Sequence, residues 1–91
     1  MSMIRRRVIV HGIVQGVGFR YLARAEADRL QVAGWVRNRA DGTVEAEVEG
    51  AEDDVAAMIA WLNHGPTGAS VDRIDVTAVP PGQESGFRIT S

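Results

Sequence analysis

Gly34-Trp35-Val36-Arg37-Asn38-Arg39-Ala40-Asp41-Gly42-Thr43-Val44-Glu45-Ala46-Glu47-Val48-Glu49-Gly50 lies near the middle of the chain, and the fold follows from how this stretch is read. Asp41-Gly42 is a strong hairpin signal, because a tight turn between strands needs residues that tolerate positive φ. Beyond it, Val44, Ala46 and Val48 alternate strictly with Glu45, Glu47 and Glu49. A period of two puts successive side chains on opposite faces of a strand. Gly34–Asn38 and Thr43–Glu49 are therefore two antiparallel strands. The three glutamates are expected to form a solvent face, where their charge would discourage edge-to-edge association.

Towards the N-terminus, Arg5–Ile13 is rich in β-branched residues. Val8 and Val10, with Ile4 in phase, suit the buried side of a strand, leaving Arg5, Arg7, Ile9 and His11 opposite. Phe19, Leu22, Ala23, Ala27 and Leu30 then recur at helical spacing, so the spacing predicts a helix over Phe19–Gln31 with Gly34 past its end. Arg24 and Asp28 form an i,i+4 pair on its outer face.

Towards the C-terminus, Glu52-Asp53-Asp54 places negative charge on the first turn of a second helix, the end of the dipole that favours it. Val55, Met58, Ile59 and Leu62 give its buried stripe, and His64-Gly65-Pro66 ends it. Pro66–Ser70 reads as a loop. Val71–Val79 alternates Ile74, Val76 and Ala78 against Arg73, Asp75 and Thr77 as a fourth strand. Pro80-Pro81-Gly82 breaks that strand, and Phe87–Thr90 is a short fifth one. The order β-α-β-β-α-β with a tail predicts an α+β, ferredoxin-like sandwich, an antiparallel sheet with two helices on one face. Residues 1–91 are expected to form a single domain, since lengths of about 100–200 residues per domain are usual.

Composition removes several kinds of chemistry. The chain has 91 residues, 45% hydrophobic and 24% charged, which marks it as globular. Ten basic residues against twelve acidic ones leave no basic surplus for wholesale nucleic-acid binding. There is no cysteine, so disulfides, thiolate metal sites and cysteine nucleophiles are excluded. All ten basic residues are arginine, which rules out Schiff-base chemistry and a Walker-type phosphate lysine. Val8-Ile9-Val10 is too short for a leader or a membrane span, and a cytoplasmic protein is expected.

Between the first strand and the first helix lies Gln15-Gly16-Val17-Gly18-Phe19-Arg20. Two glycines let backbone N–H groups turn towards one centre, and the helix they open starts with N–H groups that have no internal partner. Arg20 adds a fork of donors suited to phosphate, at a helix end where a cation is unfavourable unless an anion is also present. The first two strands run parallel in the expected topology, so Asn38 at the end of the second faces the same edge. An arginine, peptide donors and an amide that can hold a water but cannot take its proton work by positioning and electrostatics. That suffices for a good leaving group such as a carboxylate, whose conjugate acid has a pKa of about 4. The constellation points to acyl phosphates rather than ordinary phosphate esters.

Gly12-Ile13-Val14-Gln15-Gly16-Val17-Gly18-Phe19-Arg20 resembles the first signature of the acylphosphatase family, and Gly34–Val44 with Gly50 resembles its second. The likeness covers nearly the whole chain, although Gly18 stands where a bulkier residue is often found. It implies hydrolysis of the carboxyl-phosphate bond by in-line attack of water, with no cofactor and no metal. It also implies that Arg20 and the loop amides of Gln15, Gly16, Val17, Gly18 and Phe19 bind the phosphoryl group. Asn38 would orient the water. A small-molecule acyl phosphate is the expected partner, with no nucleic acid and no membrane, and a monomer is the default expectation. The competing reading is a non-catalytic phosphate- or metabolite-binding module on the same fold. A nucleic-acid platform on the sheet would need exposed aromatics on the central strands, where Ile9, His11 and glutamates stand instead. His11 and His64, Trp35 and Trp61, and Arg37 and Arg39 read as structural or solvated residues, and none of them identifies the acyl group.

Overall fold

A computed structural model describes residues 2–91. The elements are β1 (Met3–Ile13), α1 (Phe19–Leu30), β2 (Ala33–Asn38), β3 (Val44–Ala51), α2 (Glu52–His64), β4 (Ser70–Val79) and β5 (Phe87–Ile89). They form one five-stranded sheet in the order β4-β1-β3-β2-β5. β3 pairs antiparallel with both β1 and β2, so those two strands run parallel to each other and end on the same edge. The fold is ferredoxin-like. The fifth strand makes the sheet mixed, because β5 runs parallel to β2, with Gly34 opposite Phe87.

Both helices pack on one face and against each other, α1 over β2 and β5, α2 over β1, β3 and β4. The core between the layers holds Val8, Val10, Val36, Val44, Ala46 and Val48 from the sheet. Phe19, Ala23 and Ala27 face them from α1, and Val55, Met58 and Leu62 from α2. Such side chains each contribute roughly 1.5–3 kcal/mol when fully buried, alanine less. Phe19 also meets Trp61 edge to face, ring centroids 5.5 Å apart. No helix is long and apolar enough to cross a membrane among the described residues.

Four local expectations change. Leu22 is exposed, since the buried stripe of α1 is the narrower Phe19-Ala23-Ala27 row. Arg24 and Asp28 do not pair, since Arg24 has no carboxylate within 4 Å among the described residues; Gly34 lies, as expected, past Gln31, which ends that helix in the left-handed region, and inside β2. A Cβ on Gly34 would stand 1.9 Å from the Glu47 carbonyl oxygen, so close approach of two strands explains that glycine. Val76 and Ala78 are exposed, because β4 is an edge strand that extends past the cover of α2.

The fourth change concerns the acidic row. Glu45, Glu47 and Glu49 are buried, with Glu49 only 2% exposed. β3 is the central strand and not an edge, and other parts of the chain cover its open side. The guanidinium of Arg5 donates to Glu47 at 2.7 Å, to Glu49 at 2.9 Å and to Glu84 at 3.2 Å. Arg7 donates to Glu47 and Arg37 to Glu45. Glu49 also accepts the backbone N–H groups of Gly82 and Glu84, which ties the segment after β4 across the sheet. Arg88 binds Glu84 from the far side. The open face is thus a closed network of four arginines and four glutamates. Burial pushes the Glu47 and Glu49 carboxyls up, but their guanidinium and amide donors outweigh it and hold both below the usual carboxylate range.

Candidate active site

The loop between β1 and α1 is anchored at both ends by buried side chains, Val14 before it and Phe19 after it. Between these anchors Gly16 (φ 75°) and Gly18 (φ 78°) adopt the left-handed conformation. A Cβ at either glycine would meet nothing within 4 Å, so the requirement is backbone twist rather than space. Gly18 caps α1 with no side-chain hydrogen bond, and no acidic residue stands in the first turn. The peptide N–H groups of residues 15–21 have no backbone acceptor among the described residues. This helix end therefore carries uncompensated positive potential.

Arg20 adds to it. No carboxylate lies within 4 Å of its guanidinium among the described residues, and its recorded neighbour is the ring of Tyr21, 5.9 Å to the centroid. Arg20 lines a cavity of about 210 Å³ with Gly16, Gly18, Phe19, Tyr21 and Asn38. The two polar side chains expected to meet at this edge do share one space.

Asn38 reaches the cavity from the last position of β2, paired there with Val44. Its Oδ1 is buried and has no hydrogen-bond partner. A buried amide oxygen left unsatisfied costs about 1–3 kcal/mol, so this group sets the end of β2 apart from the packed core. The turn that follows is rigid. Asp41 Oδ1 accepts the Thr43 N–H at 3.0 Å and the Thr43 hydroxyl at 2.6 Å. Those two bonds, with a smaller contribution from Arg39, hold the Asp41 carboxyl below its ordinary range.

Of the loop residues, Gly16, Gly18, Phe19 and Arg20 line the cavity, whereas the Gln15 and Val17 side chains point elsewhere. Val17 packs beside Gly68 and borders the groove that contains Leu22 and Trp61. Gln15 Nε2 donates to the carbonyls of Arg39 at 2.8 Å and Thr43 at 2.9 Å. This tie fastens the cradle to the hairpin turn and so fixes the glycine loop relative to Asn38. Its partners are carbonyls, which every residue has, so no sequence signal marked them. Tyr21 was missed as well, because its place on an amphipathic helix reads as ordinary surface.

The remaining candidates lie outside the cavity. His11 binds Asp75 at 2.8 Å, and His64 is exposed at the end of α2. Arg37 is engaged by Glu45 and lies over Trp35, and Arg39 is within 3.7 Å of Asp41, so neither offers a free cation at the mouth. Among the described residues no three His, Asp or Glu side chains converge as a metal site.

The family model for acylphosphatase matches residues 6–89. The acylphosphatase of Thiobacillus denitrificans is 53% identical over 78 residues, covering 86% of each chain. That of Thermococcus kodakarensis is 45% identical over 89 residues, covering 98% of each. The crystal structure of acylphosphatase from Bacillus subtilis superposes with a TM-score of 0.93 at 39% identity, covering 97% of this chain and 99% of that one.

Proposed function

Because the chain belongs to the acylphosphatase family and hydrolyses acyl phosphates to a carboxylate and inorganic phosphate, we propose that Arg20 and Asn38 are its catalytic residues and that the peptide N–H groups of Gln15–Phe19 complete the phosphate site. The observation that carries this reading is that Asn38, whose amide oxygen has no partner, lines the same cavity as a guanidinium free of carboxylates.

The phosphoryl oxygens sit against the uncapped N-terminal turn of α1 and accept from Arg20, where donors fixed in advance stabilise charge as it spreads over the equatorial oxygens. A water is held by the side-chain amide of Asn38 in line with the bond to be broken. Neutral amides cannot accept the proton, so it passes to a phosphoryl oxygen of the substrate. The carboxylate leaves without a general acid, since its conjugate acid has a pKa of about 4. No step needs a metal or cofactor. We take residues 1–91 to be a single domain that acts as a monomer.

The test is benzoyl phosphate hydrolysis in the presence of chelator. Asn38→Ala should lower kcat by about 100- to 1,000-fold, the usual cost of losing one oriented group, while inhibition by inorganic phosphate stays within a few-fold of wild type. An Asn38→Ala enzyme with the wild-type kcat would overturn the assignment of the water.

A further inference from the structure

Arg24 stands one helical turn beyond Arg20, and the spacing to Asp28 marks it as half of a surface ion pair. The structure contains no such pair: Arg24 has no carboxylate within 4 Å among the described residues. Of the ten arginines, seven do. Its guanidinium lies 5.9 Å from the centroid of the Tyr21 ring, the same distance as that of Arg20. The two cations therefore lie no further apart than twice that distance.

Two like charges at i,i+4 on one helix oppose each other, and no neighbouring acid relieves them. Contact with a ring face holds a guanidinium in place while leaving its N–H donors unused. Tyr21 lines the phosphate cavity and is 61% exposed, so its ring lies between that cavity and solvent. Arg24 sits against that same ring.

We propose that Arg24 reads the acyl group: the enzyme prefers acyl phosphates that carry a second anionic group a short carbon chain away from the reacting carbonyl. This rests on the phosphate occupying the Arg20 cradle. The phosphoryl group takes Arg20 and the loop amides, the carbonyl end lies along Tyr21, and the distal anion accepts from Arg24. Arg24 touches the substrate away from the reacting atoms and sets KM rather than the chemical step.

Acetyl phosphate and succinyl phosphate share the reacting group and differ by a carboxymethyl group that places a carboxylate at the far end, so their KM values in wild type, Arg24→Gln and Arg24→Lys test the proposal. Wild type should show the lower KM for succinyl phosphate. Arg24→Gln should raise that KM about three- to tenfold more than it raises the KM for acetyl phosphate, with kcat for the two substrates changing in parallel. Arg24→Lys should restore the preference, because charge provides it. If the KM ratio is the same in wild type and Arg24→Gln, or if Lys fails as completely as Gln because the stem merely packs on Tyr21, the proposal is wrong. A wild-type enzyme that hydrolysed neither substrate would instead overturn the catalytic reading on which it rests.

Discussion

On the open face of the sheet Arg5, Arg7, Arg37 and Arg88 each bind at least one glutamate, whereas at the start of α1 Arg20 and Arg24 bind none. Both regions concentrate guanidinium groups, and one chain with two more acids than bases supplies the counter-charges. In the first, Arg5 is buried and stays charged whatever surrounds it, so removing its partners would strand a buried charge and its carboxylates belong to folding. In the second, the cations have been kept clear of carboxylates at a small cost in stability. Full neutralisation marks a group that serves the fold, and its absence in a cavity marks a group reserved for a ligand.

The comparison breaks most sharply at Arg20. Arg20→Gln removes the one side-chain cation of the cradle and should lower kcat/KM for benzoyl phosphate by about 1,000-fold or more, while thermal stability changes little. A variant that lost stability instead would place Arg20 with the structural arginines. Glu49→Ala is the converse: it deprives Arg5 of a buried partner and strands the N–H groups of Gly82 and Glu84. Denaturant unfolding should show a loss of about 3 kcal/mol, with phosphate inhibition of the remaining folded enzyme unaltered.

The smallest effect is the most diagnostic. The Glu47, Glu49 and Glu84 carboxyls are held below their ordinary range; burial opposes the shift at all three and is the largest single effect at the first two, while the Arg88 hydrogen bond is the largest cause at Glu84. Groups depressed in the folded state stabilise it above their unfolded pKa, and that contribution disappears as pH falls through the folded pKa. Unfolding free energy should therefore be flat near neutrality and decline below about pH 4, and less steeply in Glu49→Gln, which has one fewer group to protonate. An equal slope in the two proteins would mean that the network is not what acid dismantles.

What could be read in the sequence was whatever depends on neighbours along the chain. Asp41-Gly42, the alternation of β3 and the glycine loop opening α1 are local signals, and each element stands within a few residues of its expected place. The meeting of Arg20 with Asn38 followed from topology, because β1 and β2 must end together. Burial of the glutamate row could not be read, since alternation assigns a face without saying what covers it. The cover comes from Arg5 and from Gly82–Glu84, 33 to 35 residues beyond Glu49. Arg24 failed in the opposite direction, as its spacing to Asp28 promised a partner that the fold does not provide.

The left-handed glycines of the cradle bear on how such a protein can diverge. Peptide N–H groups belong to every residue but proline, so no exchange at Gln15 or Val17 short of proline deletes them; it can only tilt them. Drift in this loop is therefore policed through shape. A lineage could replace much of what surrounds the phosphate and keep its grip, provided positions 16 and 18 retain the freedom to turn the wrong way.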